Sequence, residues 1–509
     1  MPEHHNFIDT CIEKGILFLL IFTPLAFGTV QPWSVAVMEI IAFTLFFLYL
    51  IKIILKRPAP PPLPGASIPR PPPSALRPPS SVFCPPPSAL RPPSSVFCPP
   101  PSVLCLLFFL LILFQMLPLP EALLNTISPA SLATYRDFGN PPAGAFHPIS
   151  LNPDATRQEL FRLLGYAAVF LVIVGHYRTK EQVNSLVKTI LFMGCFLVVF
   201  AIVQKMTWDG RIFWIFPVDE ALRSGGGIWG PYINRDHFAG YLEMAIPLGM
   251  GLLLYLAPRV TALPEAPLSL KMARFMASEN LTPYSLMFLR VLMMTAALFA
   301  TFSRGGILAF AFSSLFFAGI TRRRRSLKQK TGLLALLAAV IFVAVVLASW
   351  DRLEEKFADL ERDHVSRLGV WQDCIGIMRD YPVWGTGLGT FKNAYMRYQT
   401  SMPRLLFDHA HNDYVEMLTD TGVAGFLLGA GMVLVFFRNT FRRWRQKRSM
   451  FGKCIGAGGL ASLVAMALHS FVDFNLHIPA NALLFTVISA ITYAAIFNVT
   501  EKSAVTHEN

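Results

Sequence analysis

Apolar runs of about twenty residues recur along almost the whole of this 509-residue chain, and no other feature restricts its fold as strongly. A helix of that length rises about 30 Å, the thickness of a bilayer's hydrocarbon core. Inside lipid every backbone N–H and C=O needs a partner within the chain, so such runs cross as helices. Composition agrees: 54% of residues are hydrophobic and 15% charged, where soluble domains carry about a quarter charged. The expected fold class is an all-α membrane protein.

About twelve runs qualify by length, at residues 15–30, 34–54, 103–118, 160–176, 185–204, 237–256, 286–301, 305–320, 332–350, 413–437, 454–470 and 479–498. If the N-terminus lies inside, each even-numbered connection faces the cytoplasm and should be basic. Lys52, Lys56 and Arg57 follow the second run, Arg178 and Lys180 the fourth, and Arg259, Lys271 and Arg274 the sixth. Arg322 to Arg325 with Lys328 and Lys330 follow the eighth, and RNTFRRWRQKR follows the tenth. All five basic connections fall on one side. The net charge of +13 is therefore read as topology, and no nucleic-acid partner is expected. Segments 119–159, 205–236, 302–304, 351–412 and 471–478 then lie outside.

The expected organisation is an N-terminal two-helix membrane segment (1–57) and a cytoplasmic proline-rich linker (58–102), followed by a membrane bundle (103–350). A large external loop (351–412), C-terminal membrane helices (413–498) and a cytoplasmic tail (499–509) complete it. The linker holds a fourteen-residue repeat, PPPSALRPPSSVFC at 71–84 and again at 85–98. Proline at that density removes helix donors and leaves an extended chain, either a spacer or a ligand for proline-recognising domains. The N-terminal MPEHHNFIDTCIEK has no basic stretch and no small-residue cleavage site, so the first run is expected to be a retained helix. The seven cysteines show no metal-ligand spacing and mostly sit in or beside apolar runs, as small hydrophobes.

Arginine is biased away from the outer side of a membrane, so external arginines beside apolar runs call for an explanation. Arg304, in LFATFSRGGILAFAF, stands at a tight turn with Gly305 and Gly306 behind it. It either reaches up to lipid headgroups or faces an anionic ligand. Arg235, in GPYINRDHFAGYLEMAIPL, either pairs with Asp236 or faces the same ligand, and Glu243 further along should face the bundle rather than lipid. Arg367 opens VSRLGVWQDCIGIMRDYPVWG. There Leu368, Trp371, Ile375 and Met378 line one face of an amphipathic helix that should end at Tyr381-Pro382 and lie along the membrane surface. The GTGLG that follows is a weak nucleotide signal, because no strand precedes it. Guanidinium suits bidentate phosphate binding, and the anion met at an outer membrane surface is a lipid phosphate or diphosphate.

The densest polar stretch is DHAHNDYVEMLTDTGVAG (408–425). Asp408, His409, His411 and Asp413 have the chemistry of metal ligands but lack supporting spacing. The histidines could equally be a passive interfacial pair, or one of them a general base, since neutral imidazole accepts a proton near pH 7. Gly422 and Gly425 would let the following helix pack closely on a neighbour.

In sequence order, GPYINRDHFAGYLEMAIPL, FSRGG, SRLGVWQDCIGIMRDYPVWGTGLGTF and HNDYVEMLTDTGVAG resemble the O-antigen ligase and O-antigen polymerase family of bacterial membrane glycosyltransferases, over residues from roughly 200 to 440. The last stretch fits an H-N-x9-G-x-x-G pattern from His411 and Asn412 to Gly422 and Gly425. The resemblance implies a multi-pass inner-membrane enzyme with a GT-C-like helical bundle and amphipathic helices in its large external loop. It implies a donor glycan on undecaprenyl diphosphate, an acceptor hydroxyl on a lipid A core, a glycan or a protein, and inverting transfer at the periplasmic face with neither metal nor cofactor. His411 would be the catalytic base, and Arg235, Arg304, Arg367 and Asn412 would bind substrate. A polytopic transporter or flippase of lipid-linked glycans is the alternative; such a protein should carry its polar residues near mid-membrane, whereas here they gather at the outer surface.

Overall fold

The apolar runs fold as helices. A computed structural model describes residues 2–55, 100–139, 144–217, 227–257, 281–322, 360–401 and 406–499. The helices are α1 (Pro2–Leu25), α2 (Pro32–Leu55), α3 (Pro101–Met116), α4 (Glu121–Ile127), α5 (Pro129–Gly139), α6 (Pro153–His176), α7 (Lys180–Met206) and α8 (Arg235–Leu256). Then come α9 (Leu281–Ala300), α10 (Arg304–Arg322), α11 (Leu360–Asp380), α12 (Phe391–Tyr398), α13 (Asp413–Gln446), α14 (Met450–His469) and α15 (Pro479–Tyr493). A two-stranded hairpin pairs Arg211–Ile212 with Phe216–Pro217.

Among the described residues nine helices are long and apolar enough to cross a membrane: α2, α6 to α10, α13, α14, and α15 with its continuation to Asn498. The chain is thus an all-α, multi-pass membrane protein. The expected third run is a shorter apolar helix, α3, and the first is α1, whose N-terminal half carries Asp9, Glu13 and Lys14. The run expected at 332–350 and nearly all of the proline-rich linker lie outside the described residues.

Two boundaries move for local reasons. The fourth run begins at Pro153 instead of 160, because Asn152 caps it by accepting the Ala155 N–H at 3.2 Å and proline suits the first helical turn. The tenth continues from 437 to Gln446, since the arginines that leave the lipid are good helix formers and nothing in RNTFRRWRQ breaks the helix.

The core is the pair α8 and α14. Residues of α8 are buried almost from end to end, and small residues let α14 approach its backbone. A side chain at Gly251 would meet the Cys454 carbonyl at 2.5 Å, and one at Gly458 the Pro247 carbonyl at 2.6 Å. The Ser462 hydroxyl donates to the Met244 carbonyl at 2.6 Å, beside the turn that Pro247, having no N–H, leaves short of a bond. Glu243 faces the bundle as expected: it is fully buried, with Oε2 3.1 Å from His469 Nδ1 of α14.

Outside the spans, α11 ends at Asp380, just before Tyr381-Pro382, as the sequence predicts. Its buried stripe is different from the expected one. Val370, Cys374, Ile377 and Tyr381 pack against Phe391, Ala394 and Tyr395 of α12, while Leu368 and Ile375 stay exposed and Trp371 and Met378 are half-buried. The helix has two apolar faces, and the one anchored in protein is offset from the stripe that dominates the sequence.

Helix α13 breaks at Gly422, whose φ of 62° and ψ of −172° suit glycine alone. The glycine loop 385–389 enters that break. Val423 and Ala424 N–H groups donate to the Pro382 and Val383 carbonyls at 2.9 and 3.1 Å, and Gly387 N–H donates to the Asp420 carbonyl at 3.0 Å. The Gly389 N–H reaches the Asp420 carboxylate at 2.6 Å. GTGLG is therefore a backbone insert, and Gly422 makes room for it instead of for a neighbouring helix. Gly425 does face a helix: a side chain there would meet Leu111 of α3 at 2.9 Å.

Candidate active site

The segments singled out in the sequence converge on the short connection between α14 and α15, residues 470–478 (SFVDFNLHI). Arg367 of α11 donates from Nη1 to the Val472 carbonyl at 2.7 Å. Arg304 is the first residue of α10 and half-buried. Behind it, a side chain at Gly305 would meet His469 and Val472 at 2.8 Å, and one at Gly306 would meet Ala239 of α8 at 2.7 Å. Glycine at both positions lets the Arg304 turn sit directly on α8 and α14. Arg235, also half-buried, opens α8 two residues before His237, whose Nε2 lies 3.8 Å from Asp473 Oδ2.

His411 reaches the same connection from the other side. Its φ is +51°, a left-handed conformation that non-glycine residues seldom adopt. Its neighbours hold it there. Trp371 Nε1–H donates to the Ala410 carbonyl at 2.9 Å, and the Ala410 N–H donates to Glu416 at 2.9 Å. On the far side, the Asp413 N–H donates to the Ser470 carbonyl at 3.0 Å. The ring stands edge-on to Phe474, with centroids 4.9 Å apart, and its Nδ1 lies 3.5 Å from Asp473 Oδ1. About a third of the His411 side chain remains exposed (29%), against 1% for Asp473.

Asn412 has a helix-capping task. Its Oδ1 accepts the Tyr414 and Val415 N–H groups at 3.0 and 3.1 Å, and its Nδ2 donates to the Phe471 carbonyl at 2.9 Å. This caps α13 and ties it to the connection beneath. The residue positions His411 through the backbone.

The four residues weighed as a metal set in the sequence do not converge. Asp408 pairs with Lys392 at 2.6 Å, His409 with Glu416 at 2.8 Å, Asp413 with His477 at 2.8 Å, and His411 faces Asp473. A different trio does come together: donor atoms of His409, Glu416 and His477 lie within 4.8 Å of one another. Each is already engaged within the protein, His409 Nδ1 by Glu416, Glu416 Oε2 by the Ala410 N–H, and His477 Nδ1 by Asp413. We read the trio as a charge cluster that fastens the start of α13 to the 470–478 connection. Burial opposes charge on His477, but the carboxylates of Glu416 and Asp413 outweigh it and push the imidazole up to about 10. Burial likewise opposes charge on Asp473, yet His411, His237 and His469 hold its carboxyl well below the usual range.

Sequence reasoning left out the hub. Phe474 stacks on His409 with centroids 4.3 Å apart and meets His237 and His411 edge-on. Asp473 faces two of those three imidazoles. The available signal was an Asp and two His within the nine residues HSFVDFNLH, a dense polar set beside a short turn between apolar spans.

Comparison with known proteins bears on this arrangement. Residues 289–430 match the family model described as O-antigen ligase, in agreement with the resemblance read from the sequence. The match includes Arg304, Arg367, His411 and Asn412, and leaves out Arg235 and Asp473. No curated protein matches the chain.

Proposed function

We propose that the protein is a glycosyltransferase of the O-antigen ligase and polymerase type, working at the periplasmic face of a bacterial inner membrane. It takes a glycan from undecaprenyl diphosphate and passes it to an acceptor hydroxyl on a lipid A core, another glycan or a protein. The observation that carries this reading is His411: a partly exposed imidazole on a left-handed backbone, pinned from both sides, inside the stretch that matches the family.

The chemistry needs two services. The acceptor hydroxyl must lose a proton as its oxygen attacks the anomeric carbon, and His411 takes it. The diphosphate leaves with the electron pair of the broken C–O bond. Fixed guanidinium groups, Arg304 and Arg367 with Arg235 beside them, neutralise that charge without reorganising. Attack opposite the leaving group inverts the anomeric centre, and no step calls for a metal. Arg367 already holds the Val472 carbonyl with Nη1, so its remaining donors serve the ligand.

The test is transfer from a polyprenyl-diphosphate-linked glycan in membranes carrying the full chain. His411→Ala and Arg304→Ala are each expected to lower turnover by about 100-fold or more with normal insertion, and EDTA is expected to leave the wild type active. Near-normal transfer by both variants removes the site assignment; an absolute divalent-ion requirement replaces the metal-free mechanism. Movement of the lipid-linked glycan across the membrane with no transfer would favour the flippase reading.

A further inference from the structure

Several buried polar atoms at the site have no hydrogen-bond partner among the described residues, His237 Nε2 and Ser470 Oγ included, and among them are Nδ1 of His411 and Oδ1 of Asp473. These last two face each other at 3.5 Å. A buried polar atom without a bond is costly, and two such atoms in opposition are each other's natural remedy. The gap exceeds a good hydrogen bond by about half an ångström, as catalytic contacts often do before substrate closes the site.

We propose that Asp473 is the positioning residue for His411: its carboxylate receives the Nδ1–H, which turns the Nε2 lone pair outward to the acceptor and steadies the imidazolium once a proton arrives. This rests on the functional reading above. In the step itself the acceptor O–H proton passes to Nε2, the oxygen bonds to the anomeric carbon, and the sugar–diphosphate bond breaks with its electron pair on the diphosphate. Asp473 stays ionised throughout and exchanges no proton.

The surroundings fit an orienting carboxylate. Asp473 is anchored through its other oxygen, which accepts from Asn475 Nδ2 at 3.4 Å, and its backbone N–H donates to the His469 carbonyl at 3.1 Å. Charged and titratable groups surround it: His411 from the segment before α13, His237 from α8, and His469 with Glu243 from the α8–α14 contact, while His409 and Asp236 act on His237 beside it. His237 also lies near the carboxylate, at 3.8 Å, but its ring is buried and offers no edge to an acceptor. Of the imidazoles next to Asp473, His411 is the one with an open side.

The test pairs two measurements on the full chain in detergent or proteoliposomes. Release of polyprenyl diphosphate from a polyprenyl-diphosphate-linked glycan is compared for Asp473→Asn, Asp473→Glu, His411→Ala and the Asp473→Asn/His411→Ala double variant. Asp473→Asn is expected to lower kcat by about 100-fold or more with KM for the donor unchanged. Asp473→Glu should recover part of the loss, and the double variant should be no slower than His411→Ala, because Asp473 acts through that ring. Fully additive losses overturn the proposal. The second measurement needs no substrate: diethylpyrocarbonate modification of His411, followed by peptide mass spectrometry at pH 8, should slow several-fold in Asp473→Asn while the other exposed histidines keep their rates. An unchanged His411 rate overturns the pairing whatever the substrate is. If wild type releases no polyprenyl diphosphate yet the modification rate responds, the functional reading fails and the pairing stands.

Discussion

Replacing His477 should remove a pH dependence from the stability of this protein, which shows how closely one side chain ties the two halves of the site together. Its imidazole sits between Asp413 at 2.8 Å and Glu416 at 3.3 Å, and is pushed up to about 10. The folded chain then keeps a proton that the unfolded chain releases above the ordinary value near 6.5. The contribution is complete below about pH 6.5 and is lost as pH rises toward 10. Melting temperature should fall over that interval in the wild type, and His477→Gln should start lower and fall less. Equal slopes in the two proteins would remove this account. At this scale the sequence singled out His411 and the arginines, because charge beside apolar runs stands out against lipid. It was not legible for Asp473 and Phe474. Their importance lies in what they face across the fold, and no spacing within HSFVDFNLH records the arrival of α8 and α13.

Elements show a similar division. Periodicity and length reveal the spans, and the Tyr381-Pro382 stop of α11 is where the sequence puts it. The break in α13 is not visible locally, since a glycine pair three apart reads as a packing face until the loop that enters the helix is known. Gly422→Ala tests that break. At φ 62° and ψ −172° an alanine costs about 1–3 kcal/mol in backbone strain, and its methyl would meet the Val383 carbonyl at 2.3 Å. The variant is expected to melt well below the wild type, with the 385–389 loop exchanging amide hydrogens faster. Gly431→Ala, in the same helix but with Leu104 at a comfortable 3.6 Å, should be near neutral. Equal melting temperatures would mean that the loop does not depend on the break.

For the whole molecule, helix α13 sets a geometric requirement. Its 34 residues run from the His411 end to the arginine-rich end at Gln446, so the two ends emerge on opposite sides of a bilayer. On the topology expected from the basic connections, the arginine-rich end faces the cytoplasm. A cysteine introduced at Ser401 should therefore be labelled by a membrane-impermeant maleimide in spheroplasts, and one at Arg448 only after permeabilisation. The reverse pattern would move the proposed chemistry to the other side. The charge pattern supplies this expectation, whereas the number of spans was not legible: α3 is shorter than its run and α1 begins with acids that apolar counting passes over.

The dependence of His411 on residues 470–478 also has a consequence in time. The ribosome makes the arginine turn, the glycine loop and the histidine segment before it makes Asp473 and Phe474. A nascent chain already inserted through α13 would hold the proposed base with nothing behind it. The late hairpin of α14 and α15 brings the backing carboxylate, the aromatic ring and the glycine face that seats on α8 in a single insertion event. On the proposed mechanism, activity would then be withheld until biogenesis is nearly done, and a half-assembled protein in the membrane would be unable to consume a donor.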